Sequence, residues 1–100
     1  MLTLVIMKEG KALSSIGQTT PTFPEVRALM AKYGKTQQDM GKVTGTTYIT
    51  YGKKLNNEVD FSMSDMLKIR SFFIGLGENP EELTIERLFF AWKLHYSEEP

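Results

Sequence analysis

Residues 36–57, TQQDMGKVTGTTYITYGKKLNN, decide how this chain folds. They read as two short helices joined by a tight glycine turn: Gly41 stands four residues before Gly45, and Tyr51 follows Gly45 by six. A small residue in the first helix lets the second cross it closely, and a glycine tolerates the backbone of the turn. An apolar side chain on the second helix then fills the space between them. Thr36 is a natural N-cap, with Asp39 at the third helical position in capping-box fashion, and the first helix ends near Val43. Thr46 or Thr47 caps the second helix, which runs to about Leu55, and Asn56-Asn57 tolerates the left-handed backbone that breaks it.

Towards the amino terminus, Phe23 to Tyr33 reads as a helix. Thr22 serves as its cap, Pro24 suits its first turn and Gly34 stops it. Val26, Leu29, Met30 and Tyr33 line one face at helical spacing. Residues 17–22, GQTTPT, form a linker by composition. Before them, two apolar runs flank Glu9-Gly10, which predicts a β-hairpin with Gly10 at the turn. Residues 1–22 are therefore set apart as hairpin and linker, and residues 23–100 form the helical domain.

Towards the carboxyl terminus, Ser62 or Ser64 opens a helix through Phe73 whose apolar face is Met63, Met66, Leu67, Ile69 and Phe73, with Gly75 and Gly77 ending it. Asn79-Pro80-Glu81-Glu82 has the form of a helix start: cap, proline, then acids at the positive dipole end. The stretch that follows, LTIERLFFAWKLHY, admits two readings. As a helix it aligns Ile85, Leu88, Phe89, Trp92 and Tyr96 but leaves Phe90 and Leu94 off the stripe. As a strand its aromatic content is favourable. The expectation is a short helix giving way to a strand near Phe89 that can pair with the amino-terminal hairpin. The predicted fold class is mainly α, with five helices, an added β-hairpin and this carboxyl-terminal strand.

One hundred residues suffice for one domain with a modest core. The absence of cysteine excludes disulfides and thiolate chemistry. No apolar run approaches the length of a membrane span, so a cytoplasmic home is expected. Formal net charge is zero, but it is unevenly placed. Residues 25–57 carry six basic side chains against two acidic ones, while residues 58–100 carry four against nine. A basic half that holds the turn motif, beside an acidic half, is the asymmetry expected where one face meets phosphates. Charge scatter in a short chain produces the same split without function.

In the order Lys32-Tyr33-Gly34, Thr36-Gln37, Gly41, Gly45-Thr46-Thr47, Lys54-Leu55-Asn56-Asn57, Phe61, Ser64, Phe89-Phe90-Ala91 and Lys93-Leu94, residues 25–94 resemble the Cro/cI-type helix-turn-helix family of phage repressors. More narrowly, they are similar to the small Cro-like repressors of phages and prophages of Gram-positive bacteria. The resemblance implies a lambda-repressor-like helix-turn-helix domain and a transcriptional regulator bound to a double-stranded DNA operator. It has departures. Thr44 and Thr46 stand where the family usually places apolar residues under the turn, Asn57 stands where glycine is common, and Gly52 weakens the middle of the second motif helix by ~1 kcal/mol relative to alanine.

By position within that motif, Tyr48, Ile49 and Lys53 match the base-facing places, with Thr47 at the helix start. Lysine donates to guanine O6 and N7, and Ile49 and the Tyr48 ring can pack on a thymine methyl. Gln37 and Gln38 are placed to donate to a phosphate at the amino end of the preceding helix. Lys35, Lys54 and Asn56 are candidate backbone clamps. Each has a plainer role available: core packing for Tyr48 and Ile49, capping for Thr47, solvation for the lysines. Such domains usually pair to place two recognition helices ~34 Å apart on one face of the DNA. Leu88, Phe89, Phe90, Trp92 and Leu94 are the expected homodimer interface. Catalysis, metals and cofactors are not expected. His95 has no second histidine or cysteine at metal spacing, no serine has a base partner, and no glycine-rich phosphate loop is present. The competing class is an interaction protein, an antirepressor or assembly factor that keeps the repressor fold without binding DNA.

Overall fold

The computed structural model describes residues 21–93. Within them the chain is helical throughout, with no strand: α1 is Pro24–Lys32, α2 Gln37–Thr44, α3 Tyr48–Leu55 and α4 Met63–Leu76. A last helix, α5, covers 85–93 and widens to π-type turns over Glu86–Phe90. No helix among these residues is long and apolar enough to cross a membrane. The expected hairpin before residue 21, Leu94 and His95 lie outside the described residues.

The α2–turn–α3 unit follows the local chemistry of its sequence. Thr36 and Asp39 close a reciprocal capping box, Asp39 N–H donating to Thr36 Oγ1 at 3.1 Å and Thr36 N–H to Asp39 Oδ2 at 2.9 Å. Gly45, at φ 76°, ends α2 in the left-handed conformation, one position after Thr44. A Cβ at Gly41 would lie 2.9 Å from the Thr46 carbonyl oxygen, so no larger residue lets the turn fold back this tightly. Thr44 and Thr46, the polar residues under the turn, are satisfied there. Thr44 is buried, and its Oγ1 lies 3.1 Å from the Met40 carbonyl and 3.0 Å from Thr46 Oγ1. A buried hydroxyl with partners costs little.

One core joins all five helices. Val26, Leu29 and Met30 of α1 meet Met40, Tyr51, Leu55, Ile69 and Phe73, while Phe23, Phe61 and Phe89 form an aromatic cluster with edge contacts of 5.1 and 5.3 Å about Phe61. Tyr51 is fully buried, as the motif requires, and its hydroxyl donates to the Met30 sulfur at 3.2 Å. Burial raises its phenol above the usual tyrosine range.

Several expectations are corrected. Thr22 does not cap α1; Phe23 holds that position at φ 49°, a costly backbone for a bulky residue, kept there by a ring that is 4% exposed. The Thr22 hydroxyl instead donates to the Leu55 carbonyl at the end of α3. Ser62 does open α4, but the helix continues through Gly75 and stops at Gly77. Its inward face is Asp65, Ile69 and Phe73, with Met66 packed beside it; Met63 and Leu67 turn outward, because each stands two residues from Asp65, about 200° round the helix. Asn79-Pro80 starts a turn rather than a helix, with Leu83 N–H donating to the Asn79 carbonyl at 3.0 Å. Helix α5 begins at residue 85, and Thr84 Oγ1 accepts from Arg87 N–H. No strand forms at Phe89: among the described residues there is none to pair with, and the helix places the adjacent Leu88 and Phe89 both in the core.

Candidate nucleic-acid interface

Helix α3 divides cleanly between an inner and an outer face. Tyr51, Gly52 and Leu55 are buried. Tyr48 and Ile49 are 54% and 55% exposed, and Lys53 is exposed beyond them with no ion pair among the described residues. Thr47 caps the helix, its Oγ1 accepting from Thr50 N–H at 3.2 Å, which leaves the start of α3 open to solvent.

Beside this face, Gln38, Lys42, Thr46, Thr47, Tyr48 and Ile49 line a shallow concavity of about 360 Å³. It joins the outer side of α2 to the first turn of α3. Gln37 and Gln38 are both exposed at the amino end of α2. Lys35 is half-buried, its ammonium 5.8 Å from the centre of the Phe72 ring, and stands before α2 at the edge of the same unit. A second concavity, about 270 Å³ between Phe23, Asn57, Asp60, Phe61, Met66, Phe89, Phe90 and Lys93, shares no residue with the first.

Two of the expected backbone clamps are engaged within the chain. Lys54 is 13% exposed and pairs with Asp65 Oδ2 at 2.6 Å. Burial pushes the Asp65 carboxyl up, but the Lys54 ammonium and the amide and hydroxyl of Ser62 outweigh it and hold the group below the usual carboxylate range. Lys54 therefore anchors α3 to α4, and no local pattern reveals this because its partner stands on the next helix. Asn56 remains exposed, but its Oδ1 accepts from Arg27 Nη2 at 2.9 Å. The same guanidinium reaches the Leu55 carbonyl at 3.2 Å and the Thr22 carbonyl at 2.6 Å, closing the end of α3 against α1.

Sequence reasoning missed Lys42 and Arg27. Lys42 follows Gln38 by four residues, so helical spacing alone places both on one side of α2. No local pattern announces Arg27, whose role depends on where α1 meets α3. The expected dimer residues divide sharply. Leu88 and Phe89 lie within the core of a single chain at 0% and 1% exposure, Trp92 is half-buried against Phe23, and Phe90 remains exposed at 40%. Leu88 and Phe89 are therefore unavailable as an intermolecular surface. Comparison with known proteins finds no family model, no curated protein and no solved structure that matches this chain.

Proposed function

We propose that the protein is a sequence-specific double-stranded DNA-binding regulator of transcription, a lambda-repressor-like helix-turn-helix domain akin to the Cro/cI-type repressors of phages and prophages. The observation that carries this reading is the outer face of α3, where Tyr48, Ile49 and Lys53 project together from a capped helix crossed closely by α2. In this reading α3 enters the major groove. Tyr48 and Ile49 pack against base edges, and Lys53 donates to guanine. Gln38, Lys42 and Lys35 supply donors and positive charge to the phosphates flanking the groove. Thr47 sets where the helix begins, and Lys54 and Asn56 hold it to the rest of the domain. Two copies bind a two-fold operator, with Phe90 the one expected dimer residue still exposed on α5 among those described.

The competing reading, a protein-binding module on the same fold, draws on the internal engagement of Lys54 and on the two apolar side chains that open α3. Enrichment of the protein's targets from a random-sequence duplex pool separates the two. A DNA-binding regulator selects a recurrent motif and prefers it to bulk duplex by at least about 10³-fold. A protein-binding module enriches no motif.

A further inference from the structure

Gly52 sits in the second turn of α3, where a glycine weakens a helix, and it is buried rather than solvent-facing. A Cβ built on it would lie 2.6 Å from Gln37 Oε1 and 3.5 Å from the Gln37 amide carbon. The side chain of Gln37 therefore leaves the start of α2 and lies across the bare backbone of α3. Gln37 itself stays exposed, and no hydrogen bond engages its amide among the described residues. Ile49, three residues earlier, is the neighbour of Gly52 in helical register, and Lys53, four residues after Ile49, continues the face that Ile49 starts. A neutral donor–acceptor pair from a different helix is thus seated at the edge of the face that carries an apolar and a cationic side chain.

We propose that Gln37 and Gly52 act as one recognition element: the absent side chain of Gly52 seats the Gln37 amide over α3, and the amide reads an adenine edge. This rests on the DNA-binding reading above and changes the role of Gln37 from phosphate contact to specificity determinant. The chemistry fits, because a glutamine amide donates to adenine N7 and accepts from adenine N6–H, the pair of contacts that distinguishes adenine in the major groove. Any residue larger than glycine at position 52 displaces the amide, so the cost of a glycine within a helix is retained for the seat it opens.

The test uses the full chain and the best duplex enriched from a random-sequence pool. Replacing the contacted adenine by 7-deazaadenine, which lacks the N7 acceptor, weakens wild-type binding by about tenfold and leaves Gln37→Ala binding unchanged. Gln37→Ala loses preference at one A·T pair and keeps its preference elsewhere. Gly52→Ala produces the same loss, and the double variant loses no more than either single one, as for two residues acting as a unit. If Gly52→Ala does not fold, the Gln37→Ala and 7-deazaadenine arms decide the matter alone. A uniform loss over all sequences in Gln37→Ala, with a shallower salt dependence, makes the residue a phosphate contact and overturns the proposal while leaving DNA binding intact. Failure of the wild type to enrich any duplex overturns the DNA-binding reading, and this proposal with it.

Discussion

Helices α3 and α5 are both short and rich in aromatic and aliphatic side chains, yet they dispose of them in opposite ways. Helix α3 buries Tyr51 and Leu55 and displays Tyr48 and Ile49. Helix α5 buries Leu88 and Phe89, which are consecutive, and keeps Phe90 at the rim. The difference lies in what each exposed face carries. Regular α-helical spacing gives α3 two faces, one for the core and one free for a partner. Helix α5 leaves Glu86, Arg87, Phe90 and Ala91 exposed, so its outer side carries charge and a single ring where α3 shows two large apolar side chains next to each other. Apolar content alone does not decide exposure; the face of the helix that carries it does.

The sharpest way to break this comparison is to truncate adjacent phenylalanines. Phe89→Ala should destabilise the domain by about 3–5 kcal/mol, because it opens a cavity in the aromatic cluster. Phe90→Ala should cost less than about 1 kcal/mol, as expected for an exposed site. Equal losses in urea unfolding would show that α5 is not divided as described. A pair of adjacent lysines gives the parallel test on α3. Lys54→Ala should cost about 1.5–3 kcal/mol of stability by stranding Asp65, which is buried. Lys53→Ala should leave stability within about 0.5 kcal/mol.

The same region should behave in the reverse sense towards DNA. Lys53→Ala and Tyr48→Ala are each expected to weaken operator binding by about 1–3 kcal/mol without lowering the unfolding midpoint. Fluorescence anisotropy with the enriched duplex reads the effect, and unchanged affinity in both variants removes these residues from the interface. Thr47→Ala is a smaller perturbation. Loss of the α3 cap should cost about 1 kcal/mol of stability, measured by thermal melting.

A pH series sharpens the account of what ties the helices together. Asp65 and Glu78 are both held below their ordinary values. Hydrogen bonds from Lys32 and Tyr33 lower Glu78, while for Asp65 the Lys54 and Ser62 contacts outweigh burial. A carboxylate lowered in the folded state contributes stability above its unfolded pKa and loses it as pH falls through the folded one. The domain should therefore weaken as the medium is acidified below about pH 5 and stay level from there towards neutrality. Asp65→Asn should flatten part of that acid slope in denaturant titrations.

How legible these features are in the sequence depends on how local their causes are. Thr36, Asp39, Gly41, Gly45, Thr47 and Ser62 act on neighbours within a few residues, and α2, α3 and the start of α4 lie where those residues place them. The start of α5 does not: Asn79-Pro80 carries helix-start chemistry but closes a turn, because Leu83, only 2% exposed, must reach the core first. Met63 and Leu67 are as apolar as the core face of α4, yet they point outward because each stands two residues from Asp65, on the far side of the helix. The same limit holds at the site. That Tyr48, Ile49 and Lys53 face outward is readable from their helical positions, whereas the engagement of Lys54 by Asp65, of Asn56 by Arg27 and of Gly52 by Gln37 depends on which helices cross. The polar residues under the turn, which depart from the resembling family, turn out to satisfy one another.

The most direct measurement is an NMR titration of the isotopically labelled full chain with its enriched duplex, following backbone amides residue by residue. The account predicts that the largest shifts fall on residues 47–53 and on 35–42, while amides 85–90 of α5 hardly move. Shifts centred on α5, or none at all at concentrations that saturate a control helix-turn-helix protein, would contradict it.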